Sequence, residues 1–64
     1  MPHEDTKGLV EARRKEIFRE LVEAQDKGLS VAASRQEIAG RFGVTEDIVR
    51  KVEREGLENN WPPL

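Results

Sequence analysis

The stretch that decides the fold is "RFGVTEDIVRKVERE", residues 41–55 of a chain of 64 residues. Gly43 tolerates a positive φ, so it can end one helix and open a tight turn. Thr45 is suited to cap the next helix, because its side-chain oxygen can accept a backbone N–H of the first turn. The apolar residues that follow share one helical face, namely Ile48, Val49 and Val52. The stretch therefore predicts a turn followed by a short amphipathic helix.

The residues before this turn predict a second helix. "SRQE", residues 34–37, fits a capping box in which Ser34 and Glu37 satisfy each other's backbone N–H groups. We expect a helix over residues 35–42 that faces inward with Ile38, Ala39 and Phe42. Ala39 lies four residues before the turn glycine, where two crossing helices require a small side chain. Residues 29–33 are apolar but too short for a helix of their own, so they predict a connector lying on the core.

The N-terminal part predicts a long first helix. Residues 1–7 are polar and lack periodicity, which indicates a disordered leader. Apolar residues recur with helical spacing over residues 8–27, so we expect a helix of about 18 residues that Gly28 terminates.

The C-terminal part predicts a folded-back tail. Gly56 suggests the end of the third helix, with Leu57 returning onto its last turn. Pro62 and Pro63 cannot continue a helix, so Trp61 and Leu64 are expected to cover the core. The fold class is therefore all-α: a three-helix helix-turn-helix domain over residues 8–64, with its helix-turn-helix unit at 34–57, a long N-terminal helix and an extended Trp/Pro tail.

Composition argues against several classes of protein. The chain has no cysteine and a single histidine, His3, so a disulfide or a zinc site is not expected. No nucleophile and base stand in a catalytic pattern, and we expect neither an enzyme nor a cofactor. No apolar run approaches the roughly 18 residues of a membrane span, and no signal-peptide pattern opens the chain, so a cytoplasmic protein is expected.

The region around the turn resembles a known family. "EIAGRFGVTEDIVRKVEREGL", residues 37–57, is similar to region four, the C-terminal promoter-reading region, of bacterial sigma factors. The matching residues are Phe42, Gly43, Val44, Thr45, Val49, Arg50, Val52 and Glu53. The resemblance implies a stand-alone bacterial domain of that type, in which Glu46, Asp47, Arg50 and Lys51 would read the −35 promoter element. Glu46 departs from the family, which commonly has arginine there.

Two interpretations of the charged residues remain open. As a DNA interface, the chain would use Arg35, Arg41, Thr45, Glu46, Asp47, Arg50, Lys51 and Arg54 for bases and phosphates. As an ordinary solvated helix, the same face is explained by Glu46–Arg50 and Asp47–Lys51 pairs and by acids near a helix N-terminus.

The charge balance bears on affinity and on the alternative function. The chain carries a net charge of −2 with 38% charged residues, and residues 34–54 hold five cationic and four acidic side chains. So small a surplus predicts weak DNA binding by one copy, and favours a homodimer or a larger assembly. The alternative is an adaptor that binds RNA polymerase or another protein through residues 29–33 and through Trp61 and Leu64, without reading DNA.

Overall fold

Three α-helices make up the part of the chain that the computed structural model describes, residues 9–64. They are α1 (Glu11–Asp26), α2 (Val31–Phe42) and α3 (Glu46–Asn59), and each packs against the other two. No strand occurs in the described range, which confirms the all-α class there. The predicted leader, residues 1–7, lies outside it. None of the described helices combines the length and the apolar character needed to cross a membrane.

Helix α1 supplies the largest share of the core. It begins at Glu11, while the predicted start at Gly8 lies outside the described residues. It buries Ile17, Phe18, Leu21 and Ala24. After the last turn Gly28 takes a φ of +106°, as expected of a glycine that ends a helix. The chain then leads directly into α2.

Helix α2 begins earlier than the sequence predicts, and this corrects two expectations. It starts at Val31, so residues 31–33 are helical and not a connector. Its cap is Ser30, whose Oγ accepts from the Ala33 N–H at 3.1 Å. The predicted capping box is therefore wrong. Ser34 is instead fully buried inside the helix, where its Oγ donates to Val31 O at 2.8 Å and accepts from Gln25 Nε2 at 3.1 Å.

The turn between α2 and α3 forms as predicted. Gly43 has a φ of +69° and its N–H donates to Ala39 O. Ala39 itself is buried where the helices meet. Thr45 caps α3, because its Oγ1 accepts from the Ile48 N–H at 3.1 Å. Val49 and Val52 are fully buried, and Ile48 is partly buried against the same core.

Helix α3 does not stop at Gly56, contrary to the sequence expectation. It continues for almost one further turn to Asn59, and Asn60 ends it with a φ of +53°. Gly56 is buried within the helix because the Phe18 ring lies directly against its Cα. A Cβ at this position would overlap that ring. The helical path through Gly56 also leaves Leu57 exposed, so its predicted return onto the core is wrong.

The residues after α3 add an aromatic ring to the core. Trp61 is only 6% exposed and meets Phe18 edge to face, with the ring centroids 6.1 Å apart and an angle of 81° between the planes. Its backbone N–H donates to Gly56 O at 3.0 Å, which fixes the tail to α3. Leu64 is exposed and does not cover the core, which corrects that part of the expectation.

One ion pair bridges each of the three helix pairs. Arg14 of α1 binds Glu55 of α3 at 2.9 Å, Arg35 of α2 binds Glu53 of α3 at 2.9 Å, and Arg41 of α2 binds Glu20 of α1 at 2.8 Å. Two of these pairs hold α3, one from each neighbouring helix. The orientation of α3 is thus set by charged contacts at its edges as well as by its buried valines.

Candidate nucleic-acid interface

The side of α3 that faces away from the core carries a charged surface. Arg50, Lys51 and Arg54 are exposed there, opposite the buried Val49 and Val52. This side borders a shallow groove of about 770 Å³ between α2 and α3. The groove is lined by Arg35, Asp47, Arg50, Lys51, Glu53, Arg54, Leu57 and Glu58. The α3 residues that line this groove on its solvent side are called the α3 face. They are Asp47, Arg50, Lys51, Arg54, Leu57 and Glu58.

The first turn of α3 arranges its charges differently from the sequence prediction. Arg50 Nη2 contacts Asp47 Oδ1 at 2.8 Å, so the predicted partner Glu46 is wrong. The expected Asp47–Lys51 pair is present, with Nζ and Oδ2 3.8 Å apart. Asp47 therefore serves both cations, because it lies one turn before each of them. Glu46 and Asp47 also lie in the first turn of α3, at the positive end of the helix dipole. Their negative charges stabilise the helix there whether or not DNA binds.

The two arginines of α2 are occupied by helix-to-helix contacts. Arg35 donates to Glu53 Oε1 from Nε at 3.1 Å and from Nη2 at 2.9 Å. Arg41 divides its donors between Glu20 at 2.8 Å and Glu37 at 2.6 Å. Binding a phosphate with either side chain would compete with these contacts. We therefore place the main role of both arginines in holding the helices together.

Arg54 differs from the other arginines described above. It is exposed in the centre of the α3 face, and within residues 9–64 no carboxylate forms an ion pair with it. Its guanidinium is accessible for a phosphate or a base edge without breaking an existing pair. Lys51 is exposed beside it, one turn after Asp47.

A partly buried ion pair supports the rear of α3. Arg14 Nε and Nη2 meet the two oxygens of Glu55 at 2.9 and 3.0 Å, and Nη1 donates to Leu9 O. The hydrogen bonds to Glu55 raise the pKa of Arg14, although burial opposes this shift. The amino-acid pattern does not predict this ion pair, because Arg14 and Glu55 lie on helices that are distant along the chain. Spacing rules detect only neighbours within one helix.

The two residues predicted to bind a partner protein lie in different environments. Trp61 belongs to the core, with Lys15 Nζ 5.7 Å from its ring centroid. Leu64 is 59% exposed. The large exposed apolar residues of the other proposed contact segment are Leu29 and Val31, at the junction of α1 and α2.

Comparisons with known proteins do not identify the ligand of this surface. Comparisons of the chain with models of protein families, with curated proteins and with solved structures found no match. Within residues 9–64 no cluster of His, Cys, Asp or Glu is suited to hold a metal ion. What the chain binds must therefore be inferred from the shape and charge of its own surface.

Proposed function

We propose that this protein is a small DNA-binding transcriptional regulator. In this proposal α2 and α3 form a helix-turn-helix that resembles region four of sigma factors, supported by the long α1 and the Trp/Pro tail. Helix α3 would enter the major groove, which accommodates one α-helix. The observation that carries the proposal is the α3 face, since neither α1 nor α2 covers it and it presents three cationic side chains along 14 helical residues.

The cationic residues of the α3 face would contact two different parts of the DNA, its phosphates and its base edges. Arg54 and Lys51 reach outward and would contact phosphates, which supply most of the affinity. Arg50 donates to Asp47 from Nη2 only. Its other N–H groups would donate to the edge of a base. Glu46 and Asp47 repel phosphate at the N-terminus of α3, so one copy would bind weakly. A second copy or a larger assembly containing RNA polymerase would supply the remaining affinity.

We expect Arg50→Ala and Lys51→Ala each to weaken binding to a preferred duplex about fivefold to tenfold, because each removes a contact of roughly 1 kcal/mol. Fluorescence anisotropy with labelled duplexes, one random and one carrying a −35-like element, measures this at about 50 and 200 mM salt. Wild-type binding should fall steeply between the two salt concentrations. Circular dichroism would verify that every variant is folded.

Arg19→Ala is the matched control, because it removes one exposed arginine from α1, away from the α3 face. It should leave DNA affinity close to wild type. If all three variants bind DNA equally well, α3 is not the reading helix. If the folded wild-type protein binds no duplex even at low salt, the proposed function fails.

A second candidate function is a protein-interaction adaptor. It is favoured by Leu29 and Val31, which are 37% and 47% exposed at the α1–α2 junction. Exposed apolar side chains of this kind are suited to an apolar contact on a partner. The resemblance to region four of sigma factors makes RNA polymerase the first partner to test.

For the adaptor we expect the combined change Leu29→Ser and Val31→Ser to weaken binding to purified, immobilised bacterial RNA polymerase at least tenfold, by removing two apolar contacts. Leu57→Ser is the matched control, since it alters an exposed leucine on α3, outside the α1–α2 junction. Surface plasmon resonance gives both affinities. An unchanged affinity in the double variant, or no binding by the wild type, would count against this function.

A further inference from the structure

Leu57 is an apolar side chain near the C-terminal end of the charged α3 face. It is 55% exposed and borders the same groove as Arg50 and Arg54. It lies two helical turns after Arg50 and one after Arg54, on the same side of α3. This position follows from the uninterrupted path of α3 through Gly56, since a helix that ended there would have left Leu57 free to turn inward.

Packing of the core does not require a leucine at position 57. Helix α3 already buries Val49, Val52 and Gly56 against α1 and α2, while Leu57 leaves more than half of its surface in water. The α3 face carries three cations (Arg50, Lys51 and Arg54) and two acids (Asp47 and Glu58), so Leu57 is surrounded by charges with a cationic surplus. Another protein's apolar core is a poor match for a side chain in this setting. A polyanion that also exposes small apolar groups would match both features.

Double-stranded DNA has this combination of properties. Its phosphates would pair with the exposed cations of the α3 face, and the C5-methyl group of thymine is the apolar group on the base edges of the major groove. From Arg50 to Leu57 the helix rises about 10 Å, which corresponds to roughly three base-pair steps measured along the duplex axis. Because the major groove is inclined to that axis, an α3 lying along the groove would bring Leu57 to a base pair about two to three steps from the one that Arg50 faces.

We propose that Leu57 determines sequence preference by packing against a thymine methyl group in the major groove. This inference rests on the proposed function and specifies it further. The DNA site should contain thymine opposite the C-terminal half of α3, about two to three base pairs from the position that Arg50 faces. Binding then depends on the methyl group itself and not only on the pattern of hydrogen-bonding groups.

The test uses duplexes that differ only in methyl groups. A preferred duplex is first selected from a randomised library with the wild-type protein. It is then synthesised once with thymine and once with deoxyuridine, which pairs identically but lacks the methyl group. Anisotropy titrations measure both duplexes with the wild-type protein, with Leu57→Ala and with Leu29→Ala, the last removing an exposed leucine outside the α3 face.

We expect deoxyuridine to weaken wild-type binding about fourfold for each contacted methyl group. Leu57→Ala should bind the thymine duplex about as weakly and should no longer distinguish the two duplexes. Leu29→Ala should retain the full difference between them.

Equal wild-type affinity for the two duplexes would overturn the inference while leaving DNA binding in place. Undiminished discrimination by Leu57→Ala would also overturn it, because the methyl contact would then belong to another residue. Failure of the folded wild-type protein to select or bind any duplex would overturn the proposed function together with the inference.

Discussion

Trp61→Ala is expected to leave most of the protein unfolded under native conditions. Replacing a buried tryptophan by alanine costs about 3–5 kcal/mol, through lost burial and the cavity that remains. The core of a chain this small rarely supplies more than about 3–5 kcal/mol in total. Trp61 is 6% exposed and contributes one of the two rings in the aromatic pair with Phe18. Urea denaturation followed by far-UV circular dichroism measures the change.

Trp61→Phe is the matched control, because it keeps an aromatic ring in the same place. We expect it to fold cooperatively with a reduced free energy of unfolding. If Trp61→Ala unfolds at the same urea concentration as the wild type, the tail does not belong to the core. The expected loss also means that alanine at this position reports on folding, so it cannot serve as a probe of a partner surface.

Gly56→Ala is the second large expected effect. Alanine is normally favoured over glycine within a helix by about 1 kcal/mol. Here the new Cβ would overlap the Phe18 ring, which is 1% exposed and held in place by Trp61. Overpacking of this kind costs about 1–3 kcal/mol, occasionally more, and the deep overlap with a buried ring argues for the upper end of that range. After the helix-propensity gain is subtracted, we expect a net loss of roughly 2 kcal/mol in the free energy of unfolding.

Gly40→Ala supplies the matched comparison. Gly40 is helical and exposed, and nothing lies within 4 Å of a Cβ built there. The same chemical change should therefore stabilise the protein by about 0.5–1 kcal/mol. Thermal and urea unfolding of the two variants should shift in opposite directions. A Gly56→Ala variant stabilised as much as Gly40→Ala would show that α1 and α3 do not approach closely at this point.

The sequence predicts the local features of the fold well. The turn at Gly43 and the cap at Thr45 follow from requirements within a few residues of each position. The sequence predicts the start of α2 one turn too late, because Ser30 and Ser34 lie one turn apart and serine at either position suits a cap. The choice between them depends on burial, since Ser34 is enclosed in the core and hydrogen-bonded by Gln25 of another helix.

The role of Gly56 cannot be predicted from the sequence for a related reason. A glycine that ends a helix and a glycine that allows two helices to approach both follow from the missing Cβ, so one sequence cannot separate them. The partner that decides the matter is Phe18, which is remote along the chain. The candidate site shows the same limit. Helical spacing placed the α3 cations together correctly, but it could not reveal that Glu53 engages Arg35 of another helix.

The three ion pairs between helices have a consequence for recognition. Glu53 and Glu55 attach α3 to α2 and α1, and their side chains are 18% and 30% exposed. No single one of these contacts needs to be strong, since the buried valines hold the helix as well. The ion pairs of Glu53 and Glu55, together with the buried valines, make α3 a preorganised element. A partner that docks on it does not have to order the helix first, and so its binding free energy is not reduced by that conformational entropy.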